Sequence, residues 1–181
     1  KVKDKYYYEI NDSLLEREML MVTRISKTAS GIGFGGGKQN TQVLRWQKKD
    51  NKILLRVVSH NVVANDSLPI SEAVVNSNFE PVLYNFKIAT VNTDSTSTVL
   101  DVTKLFVDDI KPLGFPQSRR KFYKISSLDS KRSFIESIKS YPTNIESRHV
   151  KTYKSSDPPS NSSVGAISLE INNSMILLPK I

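Results

Sequence analysis

The sequence predicts a mainly β or α+β fold: a single antiparallel, strand-rich domain with one well-formed helix near residues 130–140. Three observations carry this expectation. Short runs rich in Val, Ile, Thr and aromatic residues recur along the chain, bounded by Gly, Pro, Asn and Asp. Two of these runs face each other across a short polar turn, as in a hairpin. Only one segment groups its apolar residues as a helix would, so alternating βαβ units are not expected.

In chain order, residues 6–10 and 19–27 read as strands. Asn11-Asp12-Ser13 between them supplies a turn or cap, and residues 14–18 a single helical turn. Residues 41–48 and 52–60 form the hairpin around Lys49-Asp50-Asn51, with Val43, Arg45 and Gln47 on one face and Leu44, Trp46 and Lys48 on the other. Residues 61–78 are mixed, broken at Asn65-Asp66-Ser67 and Pro69. Residues 79–90 and 98–106 are apolar and β-branched enough for strands. Asp108-Asp109, Pro112, Gly114 and Pro116 break residues 107–120 into a surface loop. Over 130–140, Asp129 or Ser130 would cap a helix whose Phe134, Ile135 and Ile138 share a face, and Tyr141-Pro142 would end it. A strand over 145–153, a polar loop over 154–163 and a last strand or strand pair over 164–178 complete the chain.

A chain of 181 residues buries roughly 70% of its unfolded surface and needs neither metal nor disulfide to fold. It contains no cysteine, which excludes disulfides, thiolate zinc sites and cysteine nucleophiles. No apolar run approaches the length of a transmembrane helix. Lys1-Val2-Lys3-Asp4-Lys5 leads into Tyr6-Tyr7-Tyr8 without an apolar signal region or an initiator Met. The expectation is a mature or excised segment, with residues 1–181 forming a single domain.

Charge is uneven. Residues 111–154 hold 11 Lys and Arg against 3 Asp and Glu, whereas the first 110 residues hold 14 against 13. This basic segment therefore carries the whole net charge of +8. Arg119, Arg120, Lys121, Lys124, Lys131 and Arg132 are its candidate binding face, suited to an anionic polymer or an acidic protein. The plainer reading is a solvated positive face. Phe122 and Tyr123 interleave with the cations as in single-strand nucleic-acid sites. On a strand, however, Phe122 would turn into the core, so nucleic acid is not the expected partner.

Gly31, Gly33 and Gly36 satisfy the G-x-G-x-x-G spacing, but a strand follows where a phosphate site needs a helix. A flexible inter-strand loop is the expectation. His60 and His149 belong to no H-E-x-x-H and read as ordinary strand-end residues; a catalytic zinc usually takes three protein ligands. There is no G-x-S-x-G elbow, and Asp108-Asp109 are adjacent loop carboxylates rather than an acid/base pair.

Several stretches taken in order resemble one family. They are Tyr8-Glu9-Ile10 with Leu14-Leu15 and Arg17; Met19-Leu20 running to Thr23-Arg24-Ile25-Ser26; and the glycine loop leading into Gln42-Val43-Leu44-Arg45-Trp46. Arg132-Ser133-Phe134-Ile135-Glu136-Ser137, Pro142 with Asn144, and Ser174-Met175-Ile176-Leu177-Leu178-Pro179 follow. The set resembles the domain of unknown function that precedes the catalytic region of large bacterial metzincin-like zinc-dependent metalloproteases. The resemblance implies an exported, periplasmic or secreted parent protein of a Gram-negative envelope. Its zinc-binding H-E-x-x-H helix would lie downstream, so the resemblance implies that residues 1–181 are one excised, non-catalytic N-terminal domain with neither a cofactor nor a catalytic residue of its own.

Two functional expectations follow. In the first, the chain is an accessory domain that packs on the downstream catalytic domain of the same polypeptide, or supports its cleft for a protein or peptide substrate. In the second, it is a free-standing binding module that uses the basic 111–154 segment. An enzyme site assembled from scattered residues around His60 or His149 is a third reading.

Overall fold

The computed structural model describes residues 1–65 and 67–180. Its strands are β1 (Tyr7–Asn11), β2 (Glu18–Lys27), β3 (Lys38–Lys49), β4 (Lys52–Val58), β5 (Val82–Val91), β6 (Ser97–Asp101), β7 (Ile125–Leu128), β8 (Phe134–Ser140), β9 (Asn144–Ser155) and β10 (Ala166–Leu177). They form one antiparallel sheet in the order β1-β6-β5-β4-β3-β2-β10-β9-β7, with β8 also pairing β9. The sheet curls into a half-barrel, the strand-rich antiparallel class expected from the sequence.

Alternation decides what the barrel encloses. On β2, Met19, Met21, Thr23 and Ile25 point inward; on β10, Ile167, Leu169, Ile171, Asn173 and Met175 do. Trp46, Leu44, Leu55, Phe86 and Leu100 fill one end with the methionines. Ile25, Ile171, Phe115 and Tyr153 fill the other. Between the two apolar clusters runs a polar row across four strands: Ser147 opposes Asn173, Asn173 opposes Thr23, and Thr23 opposes Asn40. The Asn173 amide donates to Thr23 Oγ1 (2.7 Å), and Thr23 Oγ1 and Asn40 Nδ2 both donate to the Pro112 carbonyl at 3.1 Å. Buried polar groups need such partners, and these converge on one loop carbonyl and hold that loop in place.

The hairpin of β3 and β4 forms as expected, Lys49 opposing Lys52 across Asp50-Asn51, with Asp50 at φ +51°. The glycine segment is the connection between β2 and β3. Gly35 packs so closely that an added Cβ would stand 2.4 Å from the Ser26 carbonyl oxygen, and Gly31, Gly33 and Gly36 take positive φ.

Residues 130–140 are not a helix. Ser130–Arg132 is a single 3-10 turn, capped by Asp129, one of the two candidate caps, and Phe134–Ser140 is strand β8. A bulge between Ile135 and Ser137 shifts its register on β9. Ile135 and Ile138 therefore both face the core although three residues apart, which counterfeits helical spacing. Tyr141-Pro142 serves the turn into β9, where the Tyr141 amide donates to the Asn144 carbonyl. The helices lie elsewhere: α1 (Ile70–Ser77), α2 (Thr103–Val107) and α3 (Gln117–Phe122). Pro69 precedes α1, so a residue that reads as a breaker in fact starts that helix.

Candidate docking site

Polar residues alternate along β9: Ser147, His149, Lys151, Tyr153 and Ser155 all point inward and all are buried. Each meets a residue of β1 or of the segment 103–123, in chain order. The Ser147 hydroxyl bonds the Tyr8 hydroxyl at 3.0 Å, and His149 lies against the Phe106 ring. Lys151 Nζ donates to the Asp108 carbonyl at 2.6 Å, Tyr153 OH accepts from the Phe115 amide at 3.1 Å, and Ser155 Oγ donates to the Tyr123 carbonyl at 2.7 Å. Residues 107–120 are accordingly not a surface loop. They form a strap inside the half-barrel, with Leu113 and Phe115 fully buried.

This strap determines where the basic residues go. Residues 117–122 form α3, not a strand, so Arg120 turns inward and Phe122 outward, 78% exposed. Arg120 is 5% exposed. Its guanidinium donates to both Asp109 carboxylate oxygens (2.8 and 2.6 Å) and to the Phe115 carbonyl (2.7 Å), and it stacks over the Tyr153 ring. Burial pushes the Asp109 carboxyl up, but the Arg120 hydrogen bonds and charge outweigh it and hold the group below the usual carboxylate range. Arg120 therefore belongs to the interior and not to a binding face. Among the other five candidates, Lys124 pairs with Asp157, Arg132 pairs with Asp129, and Arg119 donates to the Ile32 carbonyl. Lys121 and Lys131 stand in solvent. Among the described residues, three of the segment's eleven Lys and Arg side chains, Arg120, Lys124 and Arg132, pair with a carboxylate.

Nor is His149 a strand-end residue. It sits mid-strand with no exposed surface, and neither ring nitrogen has a hydrogen-bond partner. Burial, with Lys151 beside it, pushes its pKa down to about 3, against a smaller opposing pull from the Leu113 backbone. The unfolded chain titrates near 6.5, so this residue's contribution to stability is complete above that pH and is lost as pH falls toward about 3. Its slope is about 1.4 kcal/mol per pH unit. Replacing the ring by Phe is expected to flatten that part of the stability profile, as measured by urea titration at several pH values. An unchanged slope would show that protonating His149 carries no penalty. His60 is exposed just past β4, with Nε2 3.0 Å from Glu18 Oε2. The two histidines do not converge, and the described residues bring together no group of three or more His, Cys, Asp and Glu able to hold a metal ion.

A concave groove lies on the outer face of the β3–β4 hairpin, where the register puts Arg45 directly opposite Arg56. Like charges in that position repel unless countered. Residues 59–64 and 74–80 fold over them and enclose a groove of about 420 Å³, walled by Val62, Val63, Val74, Val75 and Phe79. Arg45 Nη2 donates to the Glu80 carboxylate. Its Nε lies 3.2 Å from Glu16 Oε2, close enough for charge attraction but not aligned as a hydrogen bond. Arg56 Nε donates to Gln47 Oε1 at 2.8 Å, its Nη1 donates to the Glu80 backbone carbonyl at 2.6 Å, and the Phe79 ring covers the guanidinium.

The segment that walls this groove is itself uncovered. Val62, Val63, Leu68, Ile70, Val75 and Phe79 are all at least half exposed, and no α1 residue is buried. A cluster of that kind marks an interaction surface more often than a free one. Sequence reasoning passed over both parts. The signal for Arg45 and Arg56 was in the hairpin, since a turn at Asp50-Asn51 places them opposite each other.

Among the described residues no helix is long and apolar enough to cross a membrane. No curated protein and no solved structure matches the chain. Residues 1–28 match the family described as Domain of unknown function (DUF5118). Residues 36–181, more than half of the chain, match Domain of unknown function (DUF5117), and the chain belongs to that family.

Proposed function

We propose that this chain is a non-catalytic accessory domain that packs on a neighbouring domain of the same polypeptide through the surface of residues 62–65 and 67–82. The uncovered apolar side chains of that segment carry the reading, because burying them would recover hydrophobic free energy that the isolated domain forgoes. The resemblance of the ordered sequence stretches supplies the identity of the neighbour: the downstream catalytic region of a secreted or periplasmic zinc-dependent metalloprotease. Zinc would be held there, and this chain would shape the substrate cleft or support the fold of its neighbour.

Calorimetric titration of residues 1–181 into the separately expressed downstream segment is expected to give saturable binding with a negative heat-capacity change, the mark of apolar burial. The double variant Val75→Asp with Phe79→Asp, folded by circular dichroism, is expected to abolish it. No heat from two folded partners at any of several temperatures would contradict the proposal.

A further inference from the structure

Arg56 poses a specific problem. It is only 9% exposed, and its acceptors are the neutral Gln47 side-chain oxygen and the Glu80 backbone oxygen. The nearby Glu80 carboxylate is taken by Arg45, and among the described residues Arg56 has no ion pair. A guanidinium carries five N–H donors in a planar fork; Gln47 and Glu80 engage Nε–H and one Nη1–H, which leaves the other Nη1–H and both Nη2–H groups for a further acceptor. A buried cation without an anion is costly, and the usual remedy is a carboxylate held through two parallel hydrogen bonds. Arg56 lines the groove, so that carboxylate has room to enter from outside. The valines and Phe79 around the opening favour apolar groups on either side of it.

We propose that the groove receives an acidic side chain of the docking partner, flanked by apolar residues, with its carboxylate on the fork of Arg56. This rests on the docking reading above and names the chemistry that the partner presents. The arrangement gives the interface selectivity as well as area, since a neutral side chain in that place leaves Arg56 uncompensated.

The probes are two capped peptides, Val-Leu-Glu-Leu-Val and the same sequence with Gln in place of Glu, titrated into 15N-labelled residues 1–181. The Glu peptide is expected to shift the Arg56 Nε–H resonance and to bind at least about tenfold more tightly than the Gln peptide, a ratio typical of a charge-assisted pair. Arg56→Gln is expected to erase the difference. Arg56→Lys, which keeps a cation and loses the fork, is expected to keep part of it and serves should the Gln variant not fold. Equal affinities for the two peptides, or binding of neither by the folded domain, would overturn the proposal. Peptide discrimination without association of the downstream segment would leave the carboxylate site standing and remove the docking reading. Association that Arg56→Gln and Arg56→Lys leave unchanged would do the reverse.

Discussion

Residues 36–181 expressed alone are expected not to fold, although they match a family by themselves. The reason is topological. β2 lies in the middle of the sheet, hydrogen-bonded to β3 on one side and β10 on the other, and β1 covers the edge of β6. Residues 1–28 also contribute Tyr8, Ile10, Met19, Met21 and Ile25 to the core. At about 1.5–3 kcal/mol for each large apolar side chain, losing five of them removes roughly 7–15 kcal/mol. That equals the whole net stability of a typical domain, about 5–15 kcal/mol. Circular dichroism of 36–181 should show no cooperative thermal transition, and a synthetic peptide of residues 1–28 should restore strand signal saturably. A cooperative transition within a few degrees of that of the full chain would show that the second family segment folds without the first. On this reading, the stretches matching the two families are unequal parts of one folding unit, joined through the glycine connection.

Arg120→Ala is expected to destabilise the domain by about 3 kcal/mol, or roughly 6–12 °C in Tm at this size. Asp109 would lose both of its hydrogen bonds from Arg120, and the Phe115 carbonyl would lose a buried donor. The strap would then be tied to β9 by fewer groups, chiefly Lys151 to the Asp108 carbonyl and the Phe115 amide to Tyr153. Asp109 is about one-third exposed, so water takes up part of the loss and the cost stays at the low end for a broken buried pair. Lys121→Ala, one residue away in solvent, is expected to change stability by less than about 0.5 kcal/mol. Chemical denaturation of both variants distinguishes the two roles. Similar small losses would return Arg120 to the surface face that composition suggests.

The contrast between those neighbours shows what could be read in advance. Strand positions were legible wherever alternation was clean, as in Leu44 and Trp46 against Arg45 and Gln47, because period two has one meaning on a half-buried sheet. The hairpin turn was legible for the same reason. What misled was apolar spacing produced by a bulge, as at Ile135 and Ile138, since no single-sequence pattern marks a register shift. The interior row of β9 was illegible for another reason. Ser147, His149, Lys151 and Tyr153 are polar and point inward; β1 supplies a partner for Ser147, and the strap supplies one each for Lys151 and Tyr153. A sequence shows that such residues alternate but not that a segment forty residues earlier comes to meet them. At the candidate docking site, the opposed Arg45 and Arg56 were implicit in the hairpin register. The wall over them depended on helix α1, which the breakers around Pro69 concealed.

Amide hydrogen exchange, comparing residues 1–181 alone with the same residues in a polypeptide that continues through the downstream segment, tests the docking claim most directly. Residues 70–79 should exchange quickly in the isolated domain, where no α1 side chain is buried. They should become markedly slower in the longer chain, while the amides of β9 and β10 stay unchanged. Equal exchange over residues 62–82 in the two chains would contradict the claim that this surface is where the domain meets its neighbour.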